Sequence, residues 1–483
     1  MNAFIGLVYL VFVLASCAVF RWLRPAVAVL VVYLGGWLLL PVGNYLPSAA
    51  VDEFPYWIIG LALPSDLLLA KSWVAPVAAL LGVLLFDRRA LLGWRPAWLD
   101  APVALWCLWP LLQAGVVEQT HSAAPADPAG WISSLYLVGS WGLSWFLGRL
   151  YFTSPDGRLL LLKGLAWSGL ACLPFSVFEG VFGPNLYALV FEPHPFRLDG
   201  AVRYIGFRPI GFFEHGNQFG LWISMCALAA VWLALSGVET HGAKTHEPHP
   251  TWRYRALAGV VLLMAVAAQS VGAILLLGIG IAFLAACRFV RPRNLLVGAS
   301  SLLILSGAVY VSGVVPVTRI GKETALGRQV VDSFKAVGRG SFTWRLGQDQ
   351  KLLPLAMAEP LTGSGRWDWW RAQNARPWGL TLLVLGQFGL VGLGLSLATL
   401  LLPALRASWH APPVSGWSPQ AAPIVLAAIV ALTVLDGLMN SFIFFPALIA
   451  AGGLASMPAR RVTASAQRRA FGAGALDAAS RLA

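Results

Sequence analysis

Two cationic segments contain the residue types that could bind an anion. The first runs from Arg203 to Gly220 and reads RYIGFRPIGFFEHGNQFG. The second is a long polar segment from Pro316 to Trp378, which holds ten Lys and Arg residues against five Asp and Glu. A planar guanidinium group matches phosphate oxygens with two parallel hydrogen bonds. Both segments therefore indicate binding of a phosphate-bearing substrate, although a solvated loop resting on anionic headgroups has the same composition.

Individual residues in these segments can be given roles from their chemistry. Arginines stabilise negative charge as it develops on a phosphate leaving group, and a carboxylate or imidazole can accept the proton of a hydroxyl. Glu214 and His215 are the candidates for the base because they adjoin the first segment, with Asp368 as second choice. The stabilising role is assigned to Arg203, Arg208, Arg345, Arg366 and Arg376.

Structural roles compete with several of these assignments. Glu214 could pair with Arg208, and His215 could be a hydrogen-bonded residue at the membrane interface. Asn217 could cap the helix that follows it, with a substrate contact as the sharper interpretation.

The end of the second segment has two further features. Gly363 and Gly365 predict a turn whose exposed backbone amides could hold phosphate, although most turns of this kind are only turns. A group of tryptophans predicts a position at the membrane interface, with sugar stacking as the alternative. Its members are Trp367, Trp369, Trp370 and Trp378.

The elements that must position these residues are apolar helices. Of the 483 residues, 58% are apolar and only 11% are charged. Apolar runs of about 18 residues or more recur along the chain, which is typical of a polytopic helical membrane protein. The net charge of +13 fits Arg-rich cytoplasmic loops. No basic helix or aromatic–basic repeat indicates nucleic acid binding.

Apolar length and the positions of Lys and Arg predict about 13 crossings, within a range of about 12–14, and a cytoplasmic C-terminus. The segment 316–378 is then a large extracytoplasmic loop. Gln269–Gly272 and Asp436–Asn440 are expected to form tight outer turns. The crossings are expected near 3–20, 25–41, 57–86 with a break at Pro64, 101–118, 131–149, 160–182, 219–235, a hairpin over 256–287, 294–315, 379–402, 421–436 and 441–457.

This pattern divides the chain into four parts. An N-terminal transmembrane bundle covers 1–182, and a central region with the large loop covers 183–402. A C-terminal transmembrane hairpin covers 403–457. The tail 458–483 is rich in Ala and Gly and is expected to be cytoplasmic and disordered.

Three short motifs follow one another around the large loop. They are Arg208-x-x-Gly211 followed by Asn217, Arg345 followed by Glu359-Pro360-Leu361-x-Gly363-x-Gly365, and Gly389-Leu-Val-Gly392. Their order over roughly 200–400 resembles that of bacterial O-antigen ligases and O-antigen polymerases. That family also carries His-Asn near the end of the loop and Ser-Arg-Gly at a hairpin tip. This chain has Trp378-Gly379 and Ser270-Val271-Gly272 there.

The resemblance implies an all-α fold of the glycosyltransferase-C type in a bacterial inner membrane. It implies transfer or polymerisation of glycans from an undecaprenyl-diphosphate carrier on the periplasmic face, in O-antigen or exopolysaccharide assembly. No metal, cofactor or nucleotide sugar is implied. The implied partners are the lipid-linked glycan donor, a glycan or lipid acceptor, membrane lipids and polysaccharide-assembly proteins. We expect catalytic roles at Glu214, His215, Arg208 and Arg345, and substrate contacts at Arg203, Gly211, Asn217, Gly363, Gly365, Arg366 and Arg376.

Two other function classes remain open. A transporter of lipid-linked glycans is one, but the chain has no clear internal repeat and its cations cluster in an outer loop. A non-catalytic member of a polysaccharide export complex is the other, given the departure from the family His. Within the first class, the motifs fit a ligase and a polymerase equally.

Overall fold

The structure is a computed structural model of the chain. It describes residues 3–43, 69–117, 130–184, 186–191, 194, 202–237, 252–312, 320–321, 323–336, 340–366, 369–370, 373, 375, 377–411 and 416–456. Within these residues the chain is helical and forms no β-strand, only two isolated bridges. The predicted all-helical fold class is confirmed at this level.

The helices of the first half build the N-terminal bundle and the helix that carries the first cationic segment. They are α1 (Ala3–Trp22), α2 (Pro25–Leu39), α3 (Lys71–Phe86), α4 (Arg88–Leu92), α5 (Asp100–Val117), α6 (Gly130–Leu137), α7 (Leu143–Tyr151), α8 (Pro155–Ala171), α9 (Leu173–Phe182), α10 (Leu186–Phe191) and α11 (Gly216–Leu235). A π-helical turn over Val138–Gly142 joins α6 to α7.

The helices of the second half include two that lie in the predicted large loop, α15 and α16. The set is α12 (Trp252–Ala267), α13 (Val271–Ala286), α14 (Pro292–Ser312), α15 (Ala325–Ala336), α16 (Gly340–Ala356), α17 (Leu380–His410), α18 (Ala422–Asp436) and α19 (Pro446–Leu454).

Several helices are long and apolar enough to cross a membrane. Each predicted crossing except the last is helical over most of its described length, although the crossing predicted at 131–149 is divided between α6 and α7, and the start of the crossing predicted at 57–86 lies outside the described residues. Helices α2, α3 and α13 are apolar but shorter. These helices are compatible with a multi-pass helical membrane protein. Six helical stretches within the described part of the chain meet the length and hydropathy of a span: Ala3–Trp22, Pro155–Phe182, Gly216–Leu235, Pro292–Tyr310, Leu380–His410 and Pro419–Asp436.

Helix α11 lies at the centre of the bundle. The buried fraction of its most apolar stretch is 83%, against 22% for α1 and 11% for α14. Near its N-terminal end, the Trp222 ring lies 5.3 Å from that of Phe213, 5.3 Å from that of Phe444 and 6.3 Å from that of Trp37. The N-terminus of α11 is thus enclosed by α2 and by the segment that precedes α19.

The two predicted tight turns are present. Helices α12 and α13 form the expected hairpin, and Gln269 at its tip adopts a φ of 50°, in the left-handed region that side chains rarely enter. The turn after α18 is closed by the amides of Met439 and Asn440, which both donate to the Asp436 carbonyl at 2.9 Å. The last predicted crossing differs from the structure, because helix begins only at Pro446 and the residues before it are irregular.

Helix α17 is interrupted at Gly389, whose φ of 67° and ψ of −171° are not helical. Two carbonyls before the break lose their helical partners and are bonded instead by a segment of the preceding loop. Gly386 accepts from the amide of Ser364 at 2.9 Å, and Gln387 accepts from the amide of Gly365 at 3.0 Å. The loop therefore supplies donors that a continuous helix would have supplied itself.

The same loop segment, residues 360–365, supplies acceptors beyond the break. The amides of Leu390 and Val391 donate to the carbonyls of Pro360 and Leu361 at 2.8 and 3.2 Å. Gly363 has a φ of 75°, and an added Cβ there would lie 2.6 Å from the Phe388 amide nitrogen. We call residues 360–365 the docked segment, because they complete the hydrogen bonding of α17 from outside the helix.

Candidate functional site

The first cationic segment is held in a fixed turn by Glu179 of α9. One carboxylate oxygen of Glu179 accepts hydrogen bonds from the amides of Ile210 and Gly211, each at 2.6 Å. Gly211 has a φ of 59°, where a side chain would be strained. The predicted role of Gly211 was a substrate contact, and in the structure it forms the turn that follows Arg208.

Arg208 is buried at the N-terminus of α11, with 2% of its surface exposed. Its Nη2 donates to the Asn217 side-chain oxygen at 2.7 Å. The guanidinium lies directly against Gly216, where an added Cβ would be 2.7 Å from Cζ of Arg208. Only a glycine leaves room for Arg208 in this position. Asn217 does not cap α11, since its side chain is used by Arg208.

Asn440 joins the two cationic segments. Its side-chain oxygen accepts from Nδ2 of Asn217 at 3.2 Å and from Nη1 of Arg345 at 3.0 Å. Its own Nδ2 donates to the Asp436 carboxylate at 2.8 Å, which fixes the orientation of the amide. Arg208 and Arg345 are therefore linked through two amide side chains.

Arg345 lies in α16 between the turn after α18 and an aromatic side chain. Its guanidinium also donates to the Met439 carbonyl at 3.2 Å and lies 4.8 Å from the centroid of the Trp378 ring. The Trp378 amide donates to the Asp349 carboxylate at 3.0 Å. Trp378 is the residue at the position where the resemblance led us to expect His, and its ring packs on Arg345.

Asp349 is the carboxylate of α16 that bonds the Trp378 amide. Burial raises its pKa to about 7, while the Trp378 amide and the Arg345 charge act in the opposite direction. The predicted second-choice base, Asp368, lies outside the described residues. Asp349 was not predicted, since nothing in the sequence distinguishes it from other loop carboxylates.

His215 caps α11 with its ring. Its Nδ1 accepts the Asn217 backbone amide at 3.0 Å, and the ring stacks on Phe442 with centroids 5.5 Å apart. Burial lowers the pKa of His215 well below its usual value, and the charges of Arg208, Arg345 and other cations add to this effect. The ring is thus neutral near pH 7. Because Nδ1 is an acceptor, the proton sits on Nε2, and His215 is a hydrogen-bond donor there.

Glu214 is fully buried and pairs with Lys71, not with Arg208 as one interpretation expected. Its Oε1 lies 3.8 Å from the Lys71 ammonium, too far for a hydrogen bond, and both side chains have 0% exposure. Burial raises the pKa of Glu214, and the Lys71 charge opposes that rise. A carboxylate enclosed in this way is poorly placed to meet a substrate hydroxyl, which weakens its assignment as the base.

Arg203 sits in a small turn that the α12–α13 hairpin holds. The Arg203 amide donates to the Gly206 carbonyl at 3.2 Å. The Gln269 side chain at the hairpin tip accepts from the Ile205 amide at 3.1 Å and donates to its carbonyl at 2.7 Å. Arg203 also contributes to lowering the pKa of His215, so its charge acts on the same site.

The glycines of the second segment have a structural role in α17. The Gly363 amide donates to the Glu359 carbonyl at 2.7 Å, and the Gly365 amide donates to Gln387. Both amides are therefore engaged within the protein, which differs from the predicted phosphate-binding role. Arg366 follows them and is exposed, while Arg376 lies outside the described residues.

The tryptophans of this region differ from the prediction of an interfacial group. Trp369 and Trp370 are buried within the protein. The Trp369 ring fills the space beside Gly386, where an added Cβ would lie 2.6 Å from one of its ring carbons. The Trp369 ring packs against α17 and Trp370 is buried, so burial inside the fold, and not an interfacial position, explains this part of the cluster.

Three positioning residues were missed by sequence reasoning: Lys71, Glu179 and Asn440. Lys71 and Glu179 are ionisable residues within apolar stretches, which is itself a signal of function or of internal pairing. Asn440 closes a predicted outer turn and could have been noted as a polar residue facing the same surface as the arginines. No protein-family model matches the chain, and no curated protein matches it.

Proposed function

We propose that the protein is a membrane glycosyltransferase that transfers or polymerises glycans from an undecaprenyl-diphosphate carrier on the periplasmic face of a bacterial inner membrane, in O-antigen or exopolysaccharide assembly. One observation carries the proposal. Arg208 and Arg345 come from two cationic segments on opposite sides of α12–α14 in the chain, yet both bond to the Asn217–Asn440 pair. Two guanidinium groups held together suit a diphosphate, which spreads negative charge over several oxygens.

The reaction places a definite demand on these cations. The acceptor hydroxyl oxygen bonds to the anomeric carbon of the donor glycan while the bond from that carbon to the diphosphate oxygen breaks. The departing lipid diphosphate gains negative charge as this bond breaks. Preorganised cations that meet the charge where it develops lower the barrier, and a buried setting strengthens them. Arg208 and Arg345 are oriented by Asn217 and Asn440, so they need no rearrangement as the charge forms.

His215 has a donor role in this scheme. Its Nδ1 accepts the Asn217 amide, so the Nε2 hydrogen is the one available to a diphosphate or glycan oxygen. With His215 occupied in this way and Glu214 paired to Lys71, the hydroxyl proton passes to the departing diphosphate. This assignment does not need the family His that Trp378 replaces.

The test is replacement of the two arginines in a host that makes the polysaccharide. Arg208→Ala and Arg345→Ala should each abolish or shorten the surface glycan at normal protein level. Arg288→Ala, at an exposed position after α13, serves as the control and should leave the glycan unchanged. Normal polymer length and attachment in both site variants would refute the catalytic assignment and favour a non-catalytic member of an export complex.

The interruption of α17 at Gly389 favours one other function, transport of the lipid-linked glycan, because discontinuous membrane helices are common in transporters. Purified protein in liposomes separates the two. A transferase joins a labelled glycan to an acceptor on the same side of the bilayer. Movement of the labelled lipid across the bilayer with no new glycosidic bond would favour transport.

A further inference from the structure

Lys71 opens α3 and is buried beside the first cationic segment. Its ammonium donates to the Phe212 carbonyl at 2.7 Å and lies 3.8 Å from Oε1 of Glu214. The rings of Trp37 and Phe213 enclose it, with centroids 5.0 and 4.8 Å from Nζ. The surroundings of this cation are thus one carbonyl, one carboxylate and two aromatic faces.

In the Lys71–Glu214 pair, each charged group depends on the other for compensation of its charge. Neither oxygen of the Glu214 carboxylate has a hydrogen-bond partner among the described residues. Lys71 is the ion that compensates its charge. Aromatic faces attract a cation but do not replace water around an ammonium, so Lys71 depends on the Phe212 carbonyl and Glu214 in turn.

Lys71 contacts the stretch of chain that connects Arg208 to His215. Glu179 holds the start of this stretch through two backbone amides, those of Ile210 and Gly211. The Gln218 side chain accepts from the Glu214 amide at 3.1 Å, which holds its end. Between them, the Phe212 carbonyl is bonded by Lys71.

We propose that Lys71 is a positioning residue that fixes the segment 210–215 on the N-terminal bundle and so sets the relative placement of Arg208 and His215. The inference rests on the proposed function for its catalytic consequence. Its structural part, the immobilisation of the segment, does not depend on any activity.

Hydrogen–deuterium exchange of the full-length protein in detergent tests the structural part. The amides of Ile210, Gly211, Phe213 and Glu214 are all hydrogen-bonded within the protein, so a peptide spanning 203–217 should exchange slowly. Lys71→Met keeps the length of the side chain and removes its charge and donor. Exchange of the 203–217 peptide should rise at least tenfold in this variant.

The double variant Lys71→Met with Glu214→Gln separates positioning from charge compensation. Removing both charges of a buried pair commonly restores stability that a single removal loses. We expect the double variant to recover the melting temperature but to keep the fast exchange of 203–217, because the Phe212 carbonyl still lacks its donor. Full recovery of slow exchange would overturn the proposal and leave Lys71 only a counter-charge for Glu214.

The Arg149–Asp100 pair provides a matched control. Its atoms Nε and Oδ1 lie 2.9 Å apart, and it ties α7 to the start of α5. Arg149→Met should lower the melting temperature without changing exchange of 203–217. The same increase in exchange as in Lys71→Met would also overturn the proposal, since it would show general loosening.

Glycan transfer from undecaprenyl-diphosphate oligosaccharide gives the functional readout. The double variant Lys71→Met with Glu214→Gln should reduce kcat at least tenfold at recovered stability, with a smaller change in KM. The reason is that His215 and Arg208, once displaced, no longer meet the departing diphosphate in the correct position. If the wild-type protein transfers no glycan at all, the proposed function fails, while the exchange experiment still decides whether Lys71 holds the segment.

Discussion

The side-chain oxygen of Asn440 lies 3.0 Å from Nη1 of Arg345, and the same oxygen accepts from Asn217 of the α11 N-terminus. Asn440 is thus the point at which the C-terminal hairpin, the large loop and the central helix meet. Its amide plane is set by Asp436, four residues earlier in the turn after α18. Two positive side chains are thus brought to one place by a neutral amide group.

Replacement of Asn440 by Ala should reduce kcat/KM for glycan transfer about tenfold or more, since each factor of ten corresponds to about 1.4 kcal/mol and losing buried hydrogen bonds costs about 1–3 kcal/mol. Asn440→Asp should reduce transfer further, because a carboxylate would neutralise the arginines. Asn294→Ala, at an exposed position of α14, should have no effect. Full activity in Asn440→Ala would show that transfer does not need the link between Arg208 and Arg345.

Gly216→Ala should lower activity with little change in stability. The added Cβ would lie 2.7 Å from Cζ of Arg208, and the end of a flexible side chain can move away from it at low cost. Arg208 would then lose its alignment with Asn217. Gly259→Ala in α12 is the control, because an added Cβ there meets no atom within 4 Å. Transfer rates and melting temperatures of the two variants test this prediction. Equal transfer rates would contradict the idea that Arg208 must lie directly against Gly216.

Gly389→Ala should destabilise the protein by about 1–3 kcal/mol, because its backbone conformation is one that only glycine adopts readily. The added Cβ would also lie 2.6 Å from the Gly363 amide nitrogen in the docked segment. Gly394→Ala, later in the same helix and open to its surroundings, should be tolerated. Melting temperatures in one detergent compare them. Equal values for the two variants would show that the docked segment adds no stability.

Asp349 should make the protein less stable as pH rises from about 4 to 7. The unfolded carboxyl has a pKa near 3.9, and burial raises the folded value to about 7. Between these values the folded protein keeps a proton that the unfolded chain has lost, so stability falls with rising pH. In Asp349→Asn this part of the fall should disappear, while the amide still accepts from Trp378. Melting temperatures of both proteins at pH 5 and 8 give the difference, and parallel curves would contradict it.

Much of the helical arrangement could be predicted from the sequence, because in hydrocarbon every backbone amide and carbonyl must be hydrogen-bonded within the protein. Apolar length and the positions of Lys and Arg predicted the hairpin with its tip at Gln269–Gly272, and turn-forming residues predicted the turn at Asp436–Asn440. The same rule did not predict the break in α17, where residues 360–365 provide hydrogen bonds from outside the helix. Nothing in an apolar run containing Gly389 distinguishes a helical glycine from one that breaks the helix, because the partner at 360–365 is remote in the chain.

For the candidate site, the arginines could be chosen because their chemistry is explicit in the side chain. Arg208 and Arg345 were both assigned to stabilising charge on a phosphate leaving group, and the structure links them through Asn217 and Asn440. The surrounding support could not be predicted, since a carboxylate such as Glu179 or Glu214 looks the same in sequence whether it bonds amides, an ammonium or a substrate. Pairing is a property of three-dimensional neighbours, and Lys71 lies far from Glu214 along the chain.

The docked segment also has a consequence for biosynthesis. Helix α17 does not complete its own backbone hydrogen bonding, because four of its backbone groups near Gly389 are bonded by residues 360–365, and one of them, the Gln387 carbonyl, also accepts from Nε2 of Gln113. Those residues are translated before α17, so their partners arrive second. We therefore expect the hydrogen bonding of this helix to be complete only after residues 360–365 have reached it.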